Sequence, residues 1–372
     1  MEQRCAIVGS GLAALAAYAT LRHGGVAAAE IAVFGTHADP TEVWRIRAAA
    51  IRQERMRSES DGHLAAASWP GLALREAVAQ RRPGPLARTV TNRYRPSVER
   101  FLDHARDVRE RSGWDTSFET ARVERIAAVD GGFELDGRGS FRHVLVATGH
   151  PGLALPGRLA GDPRTVHAYE PHEYAARVAV VGAGMAAATE WLNALATGAE
   201  VVSLRRREPL RRPLNVPREL FSKRGLRPFH ALGDERRAAV LRELSTPSYP
   251  PGRSWDEPLA RAEREGRFHA EQLDPAGGEI PADVEQLICA TGFLRGFTHD
   301  PLFARLVAEH DLATHDHWIV LAPDSTVPAL TGPERTLSLA GIAAQWAFPA
   351  SDTIAGAKYA ARAFLHHVCR TR

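Results

Sequence analysis

Residues 177–191 read RVAVVGAGMAAATEW, an apolar run that ends in glycines and continues with residues that favour a helix. The chain carries the same arrangement once before, as CAIVGSGLAALAAY at residues 5–18. Both copies contain the pattern GxGxxA between a predicted strand and a predicted helix, which is typical of a turn that binds the pyrophosphate of a dinucleotide. One copy is weak evidence. Two copies with the correct flanks predict two dinucleotide sites in one chain.

The small residues of this pattern each have a physical role. The first glycine permits a tight turn, and the second lets the backbone approach the pyrophosphate. The last small residue lets the helix pack closely on the strand, so that the helix N-terminus faces the anion. The residues predicted to form the two turns are Gly9, Ser10, Gly11, Leu12, Ala13 and Ala14 in the first and Gly182, Gly184, Met185, Ala186 and Ala187 in the second.

The residues after the second strand of each unit distinguish one dinucleotide from another. An acidic residue there binds ribose hydroxyls, whereas arginine accommodates a 2′-phosphate. In the second unit the strand EVVSLRRR (200–207) ends in Arg205, Arg206 and Arg207. A solvated charged loop is the alternative. The position directly after the strand favours a 2′-phosphate, and therefore NADPH.

The composition excludes several classes of protein. The chain has 372 residues, of which 44% are hydrophobic and 24% charged, and its formal net charge is +3. These values are typical of a folded globular protein, and the charge is too small to indicate nucleic-acid binding. No apolar run approaches the roughly 20 residues that a membrane helix needs, and the first apolar segment does not resemble a secretory signal. We therefore expect a cytoplasmic protein with no membrane or nucleic-acid partner.

The cysteines indicate neither a disulfide nor a metal site. Cys5, Cys289 and Cys369 lie far apart, with no CxxC pair and no spacing typical of metal ligands. Cys5 and Cys289 fall in predicted strands, where a cysteine is usually a small buried apolar residue. We expect reduced thiols and no metal.

Other parts of the chain carry different patterns. Residues 116–142 contain short alternating apolar stretches separated by glycines, which predict an antiparallel β-meander. After the second glycine turn, helices are predicted over 234–244 and 256–265, and a strand at VEQLICATGF (284–293). The stretch SDTIAGAKYAARAFLHHV (351–368) predicts an amphipathic helix.

Five motifs follow one another in an order that is familiar from one group of enzymes. They are VGSGLAA (8–14), VFGTHADPTEVWR (33–45), VATGHPG (146–152), RVAVVGAGMAA (177–187) and ICATGF (288–293). With them the chain resembles the two-dinucleotide flavoproteins, and among these the class B flavin-dependent monooxygenases, which include flavin-containing monooxygenases, N-hydroxylases and Baeyer–Villiger enzymes. The resemblance covers most of the chain. It implies that the first turn binds FAD and the second binds NADPH.

The resemblance also implies the fold. We expect an α/β protein with two Rossmann-like dinucleotide-binding domains, one for FAD and one for NADPH, and with the β-meander as an insertion. Residues 1–152 are expected to form the first part of the FAD-binding domain, and residues 153–282 the NADPH-binding domain. Residues 283–372 are expected to return to the FAD-binding domain.

Cofactor contacts beyond the two turns are implied by the same resemblance. The N-terminus of the last helix, at Asp352, Thr353 and Ile354, is expected to point at the flavin ring and to stabilise negative charge on reduced flavin through its amides and dipole. Further contacts are implied for Gly35, Thr36, Trp44, Arg45, Val123, Thr148, Gly149, Thr291, Gly292 and Gly341.

The chain departs from the family pattern in two informative places. Gly35 stands where the family usually has a glutamate that holds the adenosine ribose. Asp39, Thr36 or His37 is then a substitute, unless the backbone alone holds the ribose. A fingerprint that precedes the NADPH turn in the family survives only as His167, for which a structural hydrogen bond is as good an interpretation as a functional one.

Candidate catalytic residues come from the segment RQERMRSESDGHLAAASWPG (52–71), which reaches the flavin in similar proteins. Arg57 and Ser58 are the preferred residues near the flavin, and Asp61 and His63 are candidates for handling a proton. The alternative is that this polar, arginine-rich segment is a surface loop.

The expected activity is that of an FAD- and NADPH-dependent monooxygenase that oxygenates a small substrate through a carbon-4a (hydro)peroxyflavin, with N-hydroxylation favoured. Its partners are then a small-molecule substrate and oxygen, and the sequence leaves a homodimer open. Three alternatives remain: a reductase that passes electrons to a quinone or protein partner, an oxidase that passes them to oxygen, and a cofactor-binding regulator without turnover. Reduction of a disulfide is disfavoured because the chain has no CxxC pair.

Overall fold

Strands and helices alternate along the chain as two nucleotide-binding units require. A computed structural model describes residues 4–57, 64, 71–90, 94–213, 215–272 and 280–370 of the protein. Its strands are β1 (Cys5–Val8), β2 (Ile31–Gly35), β3 (Phe118–Thr120), β4 (Ile126–Val129), β5 (Gly132–Leu135), β6 (Ser140–Phe141), β7 (His143–Val146), β8 (Thr165–His167), β9 (Arg177–Val181), β10 (Glu200–Arg205), β11 (Leu210–Arg211), β12 (Ser248–Tyr249), β13 (Phe268–Gln272), β14 (Gln286–Cys289), β15 (Thr314–His315), β16 (Trp318–Ile319) and β17 (Thr336–Leu339). Its α-helices are α1 (Leu12–His23), α2 (Glu42–Ala50), α3 (Gly71–Gln80), α4 (Gly84–Val90), α5 (Val98–Ser112), α6 (Met185–Ala196), α7 (Lys223–His230), α8 (Asp234–Leu244), α9 (Arg253–Arg264), α10 (Pro301–His310) and α11 (Ile354–Arg370).

The first sheet has β1 at its centre. Its five strands are all parallel and lie in the order β17-β7-β1-β2-β3. β1 is thus flanked by β2, the next strand of the chain, and by β7, which the chain reaches only after α5 and the meander. Such a reversal of strand order opens a crevice at the carboxyl ends of the two central strands, where open α/β sheets bind ligands.

The second sheet repeats this plan. Its five parallel strands lie in the order β13-β10-β9-β14-β8, so β9 is flanked by β10 on one side and by β14 on the other. Each sheet therefore places the strand before a glycine turn next to the strand that directly precedes an ATG triplet. The α/β fold with two Rossmann-like units is confirmed.

Both faces of the first sheet are covered. Along β1, Cys5 and Ile7 enter a core formed with α1 and α11, while Ala6 and Val8 enter a second core on the opposite face. This alternation follows from the two-residue repeat of a strand. A parallel sheet buried on both faces requires a strand that is apolar throughout, as β1 is.

The meander forms over a shorter segment than the sequence predicts. β4, β5 and β6 pair antiparallel, but β3 pairs in parallel with β2 in the first sheet. The predicted first strand is interrupted because the backbone N–H groups of Glu124 and Arg125 donate to the carboxylate of Asp136, at 2.5 and 3.2 Å, instead of to a neighbouring strand.

The structure also refines other expected boundaries. β14 pairs with β9 and β8, so the second sheet extends to Cys289 and not only to residue 282. The helix predicted at 256–265 begins at Arg253, and α7 lies in a region for which no helix was predicted. Among the helices in the described ranges, none combines the length and apolar character needed to cross a bilayer.

Candidate active site

A large cavity of about 910 Å³ lies at the carboxyl ends of β1, β2 and β7. Its walls also include the starts of α1 and α11, and Tyr169 and Phe293 reach it from the segments next to the second sheet. The volume is near the upper end of the usual range for ligand sites, roughly 300–1,000 Å³. The cavity therefore has room for a large cofactor and extends towards the second nucleotide-binding unit.

The first glycine turn forms one wall of this cavity. Gly9 has a φ of +116°, and a Cβ atom there would lie 2.2 Å from the carbonyl oxygen of Ala147. Around Gly11, in contrast, a Cβ atom would meet nothing within 4 Å. Gly11 is also the N-cap of α1, and no side chain accepts a hydrogen bond from the first turn of that helix. The free N–H groups of α1 form a site suited to a phosphate group.

A steric constraint accounts for the glycine at position 35, where the family usually has a glutamate. A Cβ atom at Gly35 would lie 2.3 Å from Cβ of Ser10, so the end of β2 approaches the first glycine turn too closely for any side chain. The hydroxyl oxygen of Ser10 accepts the N–H of His37 at 3.2 Å, and the His37 ring lies 3.2 Å from a carboxylate oxygen of Glu42. His37 and Asp39 line the cavity beyond Gly35.

The two ATG segments lie where the chain passes between the sheets, and hydrogen bonds hold them in place. Thr148 donates to the carboxylate of Asp300 at 3.2 Å, and Thr291 donates to the carbonyl of Ala154. His167 is fully buried, and its Nε2 lies 3.0 Å from the carbonyl oxygen of Gly292. Its Nδ1 accepts the N–H of Tyr169, so Nε2 carries the proton and donates. This geometry gives His167 a structural role.

Stacked rings form another wall of the large cavity. Phe293 lies between His150 and Tyr169, with ring centroids 4.1 and 4.9 Å away and interplanar angles of 19° and 15°. The Arg47 guanidinium lies 4.8 Å from the centroid of the Phe293 ring. Burial lowers the pKa of His150 to about 4, so its ring is neutral at pH 7. The stack presents an apolar and largely uncharged surface, with one cation at its edge.

Arg57 connects the two units at the cavity. Its guanidinium donates to the hydroxyl of Thr189 on α6 at 2.6 Å. The next residue, Glu190, is fully buried, and its carboxylate accepts the hydroxyl of Tyr174 at 2.8 Å and lies 3.0 Å from Nε2 of His172. Desolvation lowers the pKa of Arg57, and the charge of Glu190 opposes that change. Arg57 thus faces the large cavity while held by the helix that follows the second glycine turn.

Asp352, Thr353 and Ile354 line the large cavity at the start of α11. The surrounding protein desolvates the carboxyl of Asp352 and raises its pKa, while the positive charge of Arg295 opposes that rise. The start of this helix and the carboxyl of Asp352 therefore border the same region of the cavity.

The second glycine turn has the geometry of the first but lies outside the large cavity. Gly182 has a φ of +142°, and a Cβ atom there would lie 2.6 Å from the carbonyl oxygen of Ala290. Gly184 is the N-cap of α6, again without a side-chain hydrogen bond. At the end of β10, Arg205 forms an ion pair with Glu208 at 2.6 Å. Arg206 and Arg207 are exposed.

The structure brings together most of the residues expected to contact FAD. Those that line the large cavity are Gly9, Ser10, Gly11, Leu12, Ala13, Gly35, Thr36, Trp44, Arg57, Val123, Thr148, Gly149, Gly341, Asp352, Thr353 and Ile354. Ala14 is instead fully buried in the core behind α1, and Arg45 is exposed outside the cavity lining. Ser58, Asp61 and His63 lie outside the described residues.

Sequence reasoning missed four of the side chains that shape the cavity. Arg47, His150, Tyr169 and Phe293 line it, and none was predicted as a site residue. A signal existed for two of them, because His150 and Phe293 each directly follow an ATG triplet. Over the described ranges, no group of three or more His, Cys, Asp or Glu side chains is arranged to hold a metal ion.

Comparison with known proteins identifies the family. Residues 3–220 match the model of the pyridine nucleotide-disulphide oxidoreductase family, and because the match spans more than half of the chain, the protein belongs to that family. No curated protein matches the chain by sequence. The protein is a flavoprotein oxidoreductase that uses FAD and NAD(P), as the two glycine turns predicted.

Solved structures with the same fold include two hydroxylases and one reductase. An ornithine hydroxylase from Pseudomonas aeruginosa superposes with a TM-score of 0.72 at 17% identity, over 99% of this chain and 100% of that chain. An ornithine N-hydroxylase from Kutzneria sp. 744, with reduced FAD, NADP⁺ and L-ornithine, gives 0.74 at 17% identity, over 100% of this chain and 99% of that chain. A bacillithiol disulfide reductase from Bacillus cereus gives 0.62 at 14% identity, over 100% of both chains. The predicted resemblance to class B flavin-dependent monooxygenases is confirmed at the level of the fold.

The large cavity fits FAD. The first glycine turn leaves open space at Gly11, and α1 begins there with uncapped N–H groups, as a pyrophosphate requires. The cavity runs from the end of β2 at Gly35, past this turn, to the start of α11 at Asp352. One continuous space therefore offers a place for an adenosine, a pyrophosphate and a ring system.

Proposed function

We propose that the protein is an FAD- and NADPH-dependent monooxygenase that hydroxylates the nitrogen of a small amine. The observation that carries this proposal is a large cavity at the first glycine turn that extends towards the second nucleotide-binding unit, where Tyr169 and Phe293 reach it, and whose described lining contains no cysteine. The fold shared with two ornithine N-hydroxylases over nearly the full length of each chain supports the same activity.

In this proposal the residues of the first turn hold FAD. Bound FAD supplies the two-electron chemistry that connects NADPH to oxygen. Gly9 and Gly11 let the backbone approach the pyrophosphate, and the start of α1 neutralises part of its charge. Near the flavin ring, the start of α11 at Ile354 would supply a backbone N–H group, whereas the N–H of Thr353 already donates to the carbonyl of Ala350 at 3.1 Å. Val123 and Trp44, both in the cavity lining, would contact other parts of the cofactor.

The second turn is proposed to hold NADPH, with selectivity against NADH from the arginines after β10. Arg206 and Arg207 are exposed, so both are available to a 2′-phosphate, whereas Arg205 is paired with Glu208. Arg57 bonds to α6, the helix of this turn, and lines the cavity of the first turn. It would therefore keep a constant distance between the two cofactor sites.

The ring stack is proposed to protect the reaction from water. His150, Phe293 and Tyr169 close one side of the cavity with nearly parallel rings. A neutral His150 adds no charge to that wall. Excluding water matters because an oxygen-transferring enzyme must prevent its electrons from ending in hydrogen peroxide.

The alternative of a disulfide reductase comes from the structural similarity to the bacillithiol disulfide reductase. Disulfide reduction by a protein thiol needs an accessible thiolate. Cys5 and Cys289 are fully buried, and burial raises their pKa to about 12 and about 11. Cys369 lies near the end of α11 and does not line the cavity. The chain therefore favours oxygen transfer over thiol chemistry.

A product analysis tests this function. The FAD-loaded protein is incubated with NADPH, oxygen-18 gas and a panel of small primary amines, and the products are analysed by mass spectrometry. We expect one amine to yield an N-hydroxylated product that carries one atom of the labelled oxygen, with NADPH consumed in step with product. The other oxygen atom leaves as water.

Two results would contradict the proposal. If every amine leaves NADPH consumption unchanged and all electrons appear as hydrogen peroxide, the protein is an oxidase. If oxygen consumption is negligible and a quinone or a disulfide is reduced rapidly instead, it is a reductase.

A further inference from the structure

A buried charged pair lies behind Arg57, and the function proposed above does not use it. The side chains of His172 and of Glu190 on α6 are only 3% and 0% exposed. Nε2 of His172 lies 3.0 Å from a carboxylate oxygen of Glu190, and the other carboxylate oxygen is buried without a hydrogen-bond partner in the described part of the chain. Since burying a charge is costly unless it is paired, a carboxylate at this place needs a cation beside it.

His172 is that cation, because both of its ring nitrogens face acceptors. Nδ1 lies 2.7 Å from the carbonyl oxygen of Glu170, and Nε2 faces the carboxylate of Glu190. A neutral imidazole has one N–H and could donate to only one of them, whereas an imidazolium donates to both. Burial alone would lower the pKa of His172, but these hydrogen bonds raise it above its ordinary value. The charges of His172 and Glu190 therefore cancel.

Arg57 is the third charge of this group. Its guanidinium donates to the hydroxyl of Thr189, a neutral group, and within the described ranges it forms no ion pair. The charge of Glu190, the residue after Thr189, acts on Arg57, but His172 already balances that carboxylate. Arg57 is exposed and lines the large cavity, so its positive charge remains available to an anion in that space.

The segment that carries Arg57 is fixed to α6 at two points. The side-chain amide of Asn193 donates to the carbonyl of Ile51 at 2.9 Å. Thr189, one helical turn before Asn193 on the same face of α6, accepts from Arg57 at 2.6 Å. Anchors at both ends hold the guanidinium close to Glu190. A change of charge in the buried pair therefore changes the electric field at the cavity while Arg57 is held in place.

Tyr169 shows which end of the cavity these charges face. Desolvation raises the pKa of Tyr169, and the charges of Arg57 and Arg47 oppose that rise. The charges of Glu190 and Asp352 add to it. All of these groups therefore lie around one region. Since Asp352 precedes the start of α11, this region is the end of the cavity where the flavin ring is proposed to lie.

A positive charge at this end matters because reduction gives the flavin a negative charge. Hydride transfer from NADPH delivers two electrons and one proton to FAD, which thereby gains one negative charge, and leaves NADP⁺. A cation beside the ring stabilises the reduced form relative to the oxidised form. The midpoint potential of the flavin then rises.

We propose that His172 and Glu190, both in the second nucleotide-binding unit, set the redox potential of the flavin in the first. His172 neutralises Glu190, and the charge of Arg57 is then left to stabilise reduced flavin. The inference rests on the placement of FAD in the large cavity, as in the proposed function. It holds for any substrate that the reduced flavin and oxygen act on.

The midpoint potential of the bound flavin tests the inference without turnover. FAD-loaded protein is reduced stepwise in the absence of air and of NADPH, with a reference dye of known potential in the same solution. His172→Gln removes the cation but keeps an N–H donor for Glu190, whose carboxylate then offsets the charge of Arg57. We expect the midpoint potential to fall by about 30 mV, which corresponds to a tenfold change in the equilibrium constant of a two-electron reduction.

A double variant separates the effect of charge from damage to the packing. When Glu190→Gln is added to His172→Gln, no carboxylate is left to offset Arg57, and we expect the potential to return most of the way to the wild-type value. Damage from two buried substitutions would instead accumulate. His269→Gln replaces an exposed histidine on β13 of the same unit and should leave the potential unchanged. FAD content and melting temperature show whether each variant is folded.

Arg57→Gln tests the last link, from the buried pair to the cavity. It removes the cation that faces the cavity, and we expect a fall in potential similar to that of His172→Gln. Because Arg57 is exposed, this variant remains informative even if the substitutions in the buried pair prevent folding.

Three results would overturn the inference. The first is an unchanged potential in His172→Gln, and the second is a double variant whose potential does not recover. The third is an unchanged potential in Arg57→Gln. Neither oxygen nor an amine takes part in these measurements, so they are separate from the test of the proposed function. If the potentials shift as expected but no amine is hydroxylated, N-hydroxylation fails while the role of the buried pair stands.

Discussion

The two glycine turns of this protein share a signature and a backbone geometry. In each, a Cβ atom on the first glycine would collide with the carbonyl oxygen of the alanine in an ATG triplet, at 2.2 Å for Gly9 and Ala147 and at 2.6 Å for Gly182 and Ala290. In each, the last small residue of GxGxxA is fully buried. The GxGxxA and ATG motifs are therefore two halves of one contact, made once per sheet.

The turns differ in what surrounds them. Gly11 faces open space in the large cavity, whereas a Cβ atom at Gly184 would lie 3.6 Å from a side-chain atom of Pro247. After the second strand, the first unit has Gly35 packed on Ser10, while the second unit has exposed arginines. The shared motif thus sets how the backbone approaches a dinucleotide. We propose that residues outside the motif decide which dinucleotide is bound.

The largest expected effect comes from adding a side chain to the first glycine of the first turn, where the backbone touches the ATG segment. Gly9→Ala places a methyl group against the carbonyl of Ala147 at a positive φ, where alanine is also strained. We expect a loss of at least about 3 kcal/mol in the free energy of unfolding, together with loss of bound FAD. Urea denaturation and the flavin content of purified protein measure both.

Gly11→Ala is the matched control for that variant. The added Cβ atom meets nothing within 4 Å, so the variant should fold with normal stability. The expected effect is limited to weaker binding of FAD. Equal losses of stability in the two variants would show that the close contact with the ATG triplet is not the reason why position 9 requires glycine.

A second substitution tests why Gly35 is not acidic. Gly35→Ala adds an atom 2.3 Å from Cβ of Ser10, and we expect it to cost about 2 kcal/mol of folding stability through this overpacking. Ser10→Gly in the same chain removes the clashing side chain and should restore part of the loss. Thermal denaturation of the single and double variants measures it. No recovery in the double variant would contradict the steric explanation.

A third prediction concerns the choice of nucleotide. Replacing both Arg206 and Arg207 with glutamine should lower kcat/KM for NADPH by about 10- to 100-fold, since each charged hydrogen bond is worth roughly 1.5–3 kcal/mol in the absence of compensation. The value for NADH should change little. Flavin reduction followed in stopped flow gives both constants.

The control for these arginines is Arg264→Gln, which removes an exposed arginine on α9 of the same unit. Equal effects of the paired variant on NADPH and NADH would assign these arginines to the rest of the nucleotide and not to its 2′-phosphate.

The smallest expected effect is a pH dependence from His150. Burial lowers its pKa to about 4, so folding favours the neutral ring. This contribution is complete above the pKa of about 6.5 in the unfolded chain, and it is lost as the pH falls towards the folded value. At pH 5 the loss reaches up to about 2 kcal/mol. His150→Phe keeps the stack on Phe293 and should lose less stability between pH 7 and pH 5 in urea titrations. An identical loss in wild type and variant would show that His150 is not the cause.

Much of the architecture could be predicted from the sequence because local patterns determine it. The strand–turn–helix units around Gly9 and Gly182 each follow from an apolar run, small residues and a helix former in sequence. The ends of the meander could not be predicted, since the carboxylate of Asp136 captures the N–H groups that a strand would use.

Part of the candidate site could likewise be predicted from the sequence, and part of it could not. The residues that line the cavity through their backbone, such as Gly9 and Gly149, carry a recognisable motif. The ring stack does not, because His150, Tyr169 and Phe293 come together only when the two sheets meet. A smaller pocket of about 40 Å³ beside the cavity is lined by Arg295 and Gln345, which likewise lie on separate segments and share no sequence pattern.

The most direct test of the account is the reaction of the reduced protein with oxygen. FAD-loaded protein is reduced with NADPH in the absence of air and then mixed with oxygenated buffer, while the flavin spectrum is followed in stopped flow. We predict that a flavin species distinct from both the reduced and the oxidised forms persists until substrate is added. Direct return to oxidised flavin in a single step, with hydrogen peroxide as the product, would contradict the assignment as a monooxygenase.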